Sequence, residues 1–122
     1  MKPDMRWFFF GISGRIARLP YFLCIAFLNC VTAVVFWQGV PGIEAGTPSE
    51  AWSLVFTVYM LLAFWVYVVT TVKRLHDVNI TGWAALTLIV PIVGIVAVLA
   101  LLVIPGTPGP NAYGDATNRP KT

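Results

Sequence analysis

Three apolar runs leave this chain few ways to fold. Tyr21 to Gln38, Ala51 to Val72 and Trp83 to Ile104 contain no Asp, Glu, Lys or Arg. A helix rises about 1.5 Å per residue and a bilayer's hydrocarbon core is about 30 Å thick, so the second and third runs, at about 33 Å each, are long enough to cross one. Only 11% of the chain is charged, against about 25% in a soluble domain. So few charges cannot cover a surface that faces water. The expected class is an all-α integral membrane protein with three transmembrane segments at about 21–38, 51–72 and 83–104. They form one polytopic domain over residues 1–114, followed by a flexible tail over 115–122.

The connections refine this outline. The leader interleaves Lys2, Arg6, Arg15 and Arg18 with the block Trp7 to Phe10, which is too short to span and reads as an interfacial segment. Gln38-Gly39-Val40-Pro41-Gly42 is expected to end the first helix, and Ser49 with Glu50 to start the second. Ser53, Thr57, Met60, Phe64, Tyr67 and Thr71 recur at helical spacing, and that face is expected to pack on a neighbour. Asn29, in the middle of the first run, is expected to contact another helix. Pro91 and Gly94 interrupt the third run. A kinked span is the preferred reading, and a re-entrant segment that turns back under cover of the other helices is the alternative. Cys24 and Cys30, six residues apart on one helix, face different ways and are badly placed for a bridge.

Basic residues set the orientation. Arg15 and Arg18 precede the first run and Lys73 and Arg74 follow the second, whereas the loop between holds Glu44 and no cation. The positive-inside rule puts the N-terminus and the second connection in the cytoplasm. Arg119 and Lys121 lie outside if the third run spans and inside if it re-enters.

The polar residues support little chemistry. Arg74 and Lys73 stand three and four residues before Asp77, within reach on a helix, and both cations can extend to lipid phosphates. His76 and Asp77 are neighbours and point about 100° apart, which is poor geometry for a dyad. One histidine and two distant cysteines make no metal site. No catalytic residue, metal or cofactor is expected, and no nucleic-acid partner, because the basic residues form no extended polar face.

Three motifs carry a resemblance. Gly14-Arg15-Ile16-Ala17-Arg18 with Tyr21-Phe22, then Arg74-Leu75-His76-Asp77 with Gly82-Trp83, then Pro108-Gly109-Pro110-Asn111-Ala112-Tyr113-Gly114 together resemble the bacterial domain of unknown function 805 family. Pro20, Ile80, Ala84 and Ala112 depart from its pattern. The resemblance covers about Phe10 to Gly114. It implies a multi-pass protein of the bacterial inner membrane and brings no established activity. It also marks Gly14, Tyr21, Gly82, Trp83, Asn111, Tyr113 and Gly114 as motif sites.

The leading expectation is a non-enzymatic membrane module. Its cytoplasmic cluster of Arg15, Arg18, Arg74, His76 and Asp77 would bind an anionic lipid headgroup or a protein partner. One alternative is a homo-oligomeric transporter or channel subunit. The other is an enzyme acting on a lipid-linked substrate through His76.

Overall fold

The computed structural model describes residues 2–47 and 49–121. In chain order these form α1 (Met5–Phe10), α2 (Arg18–Glu44), α3 (Glu50–Asp77), a 3-10 helix (Gly82–Ile89) and α4 (Pro91–Val103), with no strand among the described residues.

Local chemistry explains the ends of the long helices. The Ser49 side chain accepts from Trp52 N at 3.2 Å and caps α3, with Glu50 in its first turn. At the far end of α3, Asn79 adopts φ 62. Asn79 N donates to His76 O and Ile80 N to Leu75 O, a Schellman closure that uses asparagine in the left-handed region. The end of α2 differs from expectation. Pro41 lies inside the helix, which runs on to Glu44. A proline in the last turns forfeits one hydrogen bond without forbidding helix beyond it. The stop comes where Gly46 N reaches Ile43 O and Thr47 N reaches Gly42 O, a second Schellman closure.

Among the described residues, helices α2 and α3 are the two elements long and apolar enough to cross a membrane. They touch through Cys24 and Leu28 on one side and Val66 on the other, with Ala63 and Tyr67 alongside. Tyr59 OH lies 2.8 Å from Thr32 Oγ1, and Tyr21 OH 3.1 Å from Thr71 Oγ1. The packing stripe of α3 is therefore Tyr59, Ala63, Val66 and Thr70, with the predicted Tyr67 and Thr71 at its edge. Ser53 and Thr57 are exposed and bond to carbonyls four residues back on their own helix. Asn29 is exposed and makes no side-chain hydrogen bond to any described residue; it borders a groove between α2, α3 and α4. Cys24 is buried and Cys30 exposed, and both are free.

The third apolar run is not one kinked helix. Val90 is extended (φ −89, ψ 114) between the 3-10 helix and α4, because a residue before proline is pushed out of the helical region. The two arms then fold back on each other. A Cβ on Gly94 would lie 3.1 Å from Leu88 Cα and 3.2 Å from Thr87 O. Gly82, which opens the hairpin, sits against Val72 and His76. Leu101 O and Ile104 O, which close it, accept from Arg74. Entry and exit thus meet the same last turns of α3. At about 2.0 and 1.5 Å per residue, the arms are about 16 and 20 Å long, too short to cross a bilayer singly.

Candidate functional site

The last turns of α3 carry Lys73, Arg74 and Asp77, and all three are buried. Water-seeking groups sit inside because the leader, the hairpin exit and the C-terminal segment close over them. Asp77 is the centre. Its Oδ1 accepts from Arg15 Nε at 3.0 Å and its Oδ2 from Arg74 Nη1 at 2.6 Å. Two guanidinium groups thus share one carboxylate.

The surplus positive charge is met by backbone carbonyls. Arg15 Nη1 donates to Gly109 O at 2.7 Å and Gly114 O at 3.3 Å, and Nη2 donates to Thr107 O at 2.6 Å. Arg74 Nε donates to Leu101 O at 2.9 Å and Nη2 to Ile104 O. Those two carbonyls close α4, and Arg18 Nη1 takes Val103 O beside them at 3.1 Å. Lys73 Nζ donates to Trp7 O and Phe8 O near the end of α1, 4.5 Å from the Trp7 ring centroid. The C-terminal end of a helix is the negative end of its dipole. Lys73 and Arg74 therefore neutralise two short helices while anchoring them to a long one. Among the described residues no buried side-chain nitrogen or oxygen lacks a partner.

Two glycines make the closure possible. Gly106 passes so near Asp77 that a Cβ there would lie 1.9 Å from Oδ2. Gly14 adopts φ +92, and its Cβ would lie 2.3 Å from Arg119 O. The backbone of Arg15 is in turn paired with the C-terminal segment: Arg15 N donates to Arg119 O and Asn118 N to Arg15 O. Asn118 Oδ1 accepts from Ala17 N.

His76 lies at the rim of this cluster. Its Nδ1 is 3.0 Å from Gly14 O, and its ring stacks on Tyr113 at 4.2 Å between centroids and 3° between planes. Asn111 Nδ2 donates to His76 O, and Asn111 Oδ1 accepts from Tyr113 N. The three sequence motifs thus converge on one end of α3.

The match in sequence is as continuous as the cluster. A family model described as "Protein of unknown function (DUF805)" matches residues 9–115. The chain belongs to the DUF805 family. It is 26% identical over 111 residues to "Inner membrane protein YhaH" of Escherichia coli (strain K12), covering 85% of this chain and 84% of that protein. It is 29% identical over 119 residues to "Inner membrane protein YhaI" of the same strain, covering 91% and 94%. No solved structure matches the chain significantly.

Within this DUF805 chain the expected site residues separate into groups. Arg15, Arg74 and Asp77 meet in the buried cluster, and every guanidinium nitrogen of the two arginines already has a protein acceptor. Arg18 is exposed, and His76 is half-buried at the rim. Of the motif positions, Gly14, Asn111, Tyr113 and Gly114 build the closure, and Gly82 fits against His76. Tyr21 is buried at the α2–α3 contact, and Trp83 is 78% exposed. Lys73 does not pair with Asp77. It turns to α1, whose carbonyls are closer to hand once the leader folds over α3. Sequence reasoning missed Gly106, Thr107 and Asn118 as parts of the site. The run Pro105-Gly106-Thr107-Pro108-Gly109-Pro110 signalled a turn, and nothing in it named Arg15 as the destination.

Proposed function

We propose that this protein is a multi-pass module of the bacterial inner membrane. Helices α2 and α3 span, the hairpin Gly82–Val103 is re-entrant, and both termini are cytoplasmic. The module binds anionic lipid at its cytoplasmic face without catalysing a reaction. One observation carries this reading. The folded-back hairpin gathers all eight Lys and Arg residues at one end of the α2–α3 pair, while Glu44 and Glu50 occupy the other. That distribution satisfies the positive-inside rule completely. Lipid recognition falls to the exposed cations, Arg18, Arg119 and Lys121 with Arg6, because Arg15 and Arg74 are occupied within the protein. Basic side chains near a membrane surface each contribute about 1 kcal/mol of attraction to anionic lipid.

A reporter active only in the periplasm tests the orientation. Fused after Gly46 it should be active; fused after Asn79 or after Lys121 it should be silent. Activity after Lys121 with silence after Asn79 would restore a third complete span. Preferential thermal stabilisation by phosphatidylglycerol over phosphatidylcholine, lost in Arg18→Gln with Lys121→Gln, tests the lipid reading.

A homo-oligomer is a second reading, favoured by the hairpin tip. Ile89 and Ile92 there are 68% and 78% exposed, and the extended Val90 leaves the first N–H groups of α4 without helical acceptors. Lipid tails cannot satisfy irregular backbone in the hydrocarbon region. A second copy, or another membrane protein, would cover the tip and the nearby Asn29.

A further inference from the structure

On the side of α3 opposite the α2 contact, the 3-10 arm and the Ile12 loop enclose a groove of about 580 Å³. Its walls are Phe64, Val68 and Val72 of α3, facing Leu86 and Ile89. The mouth is polar and is formed by His76, Thr81 and Tyr113. From His76 to Phe64 the groove follows twelve residues of helix, about 18 Å. Half of a hydrocarbon core is about 15 Å. The groove therefore begins at the charged end of the protein and stops near the depth where one leaflet ends.

The mouth has unused hydrogen-bonding capacity. The hydroxyls of Thr81 and Tyr113 have no partner among the described residues. The Nδ1–Gly14 contact fixes the His76 ring, and Nε2 faces Gly82, whose Cβ would lie 3.2 Å away. Lys121 Nζ rests on Ala112 O, beside Tyr113. Asp115, the carboxylate nearest in sequence, is engaged within the protein. A cation and two hydroxyl donors above an apolar slot one leaflet deep complement a single kind of occupant.

We propose that this groove holds one acyl chain of an anionic phospholipid from the cytoplasmic leaflet, with the phosphate at the Tyr113–Thr81–Lys121 mouth. The proposal rests on the orientation and lipid reading above, and adds a defined site to a surface attraction. Lipid bound here would brace the hairpin against α3, because its chain touches both.

The test uses the full chain in mild detergent, with thermal unfolding and native mass spectrometry as readouts. The probes are dioleoyl phosphatidylglycerol, dioleoyl phosphatidylcholine and glycerol 3-phosphate. Wild type should retain one phosphatidylglycerol and gain stability from it, and glycerol 3-phosphate should do nothing. Leu86→Trp, which fills the slot from an exposed position, should lose the retained lipid. Tyr113→Phe keeps the stack on His76 and removes one donor to a charged group, so it should bind about tenfold more weakly. Tyr113→Phe decides the matter if Leu86→Trp is already unstable without lipid. Wild-type retention in both variants, or equal protection by glycerol 3-phosphate, would overturn the groove and leave the surface reading standing. No preference of wild type for phosphatidylglycerol over phosphatidylcholine would overturn both.

Discussion

Asp77 is the residue on which the buried charge cluster depends. Removing one partner of a buried ion pair costs about 3–5 kcal/mol, because the other charge is left without compensation. Asp77→Asn leaves Arg15 and Arg74 facing each other and should destabilise the protein by an amount in that range, read as a fall in unfolding temperature in detergent. Arg74→Lys keeps the charge but cannot reach Asp77, Leu101 O and Ile104 O together, since an ammonium lacks the planar fork. In a double-mutant cycle the Arg74 and Asp77 substitutions should couple strongly; simple additivity would show that the observed pairing contributes nothing. Gly106→Ala should be nearly as harmful as Asp77→Asn, because its methyl group would occupy the space of a carboxylate oxygen. By contrast His76→Gln should be mild, since a glutamine amide can still donate to Gly14 O.

Among the elements, the hairpin makes the sharpest topological statement. With Cys24 and Cys30 replaced by serine, single cysteines at Trp83 and Thr107 should react with a membrane-impermeant thiol reagent from the same side. Labelling from opposite sides would mean that the segment crosses. The hairpin also marks the boundary of what could be read from sequence. The two long helices were legible because their signals are local: unbroken apolar runs, Ser49 as a cap, and no charge between the ends. Arg74 and Asp77 were legible as a pair because three residues on a helix fix their distance. Pro91 and Gly94 were ambiguous, since a proline after an extended residue serves equally to kink a helix or to start a new one. The contacts that decided it, Arg74 with Leu101 and Ile104 and Arg15 with Gly109, join residues far apart in the chain and leave no periodic trace. The same distance explains why Arg15 and Arg74 read as free phosphate ligands, when the acceptors that occupy them are backbone carbonyls that any residue type supplies.

The whole molecule has one end that gathers the cations and one that carries Glu44 and Glu50, and half of its depth consists of two helices alone. If copies cover each other's hairpin tips, energy transfer between labelled copies in liposomes should rise with protein density. Asn29→Leu should then weaken association by about 0.6 kcal/mol, roughly threefold; transfer that never exceeds random proximity would leave the protein a monomer. The closure of the charged end has a further consequence for how the chain is made. Arg15 is translated first, Asp77 later, and the carbonyls of Thr107, Gly109 and Gly114 that hold Arg15 later still. Until the ribosome delivers them, an intermediate that already holds α2 and α3 carries an Arg15 guanidinium with Asp77 alone to pair it. The segment from Thr107 to Gly114 thus closes the charged cluster only after both long helices are made. A product truncated before Thr107 should keep α2 and α3 yet leave the Arg15 guanidinium with Asp77 as its one partner in place of four, and it should be cut by an added protease faster than the full chain.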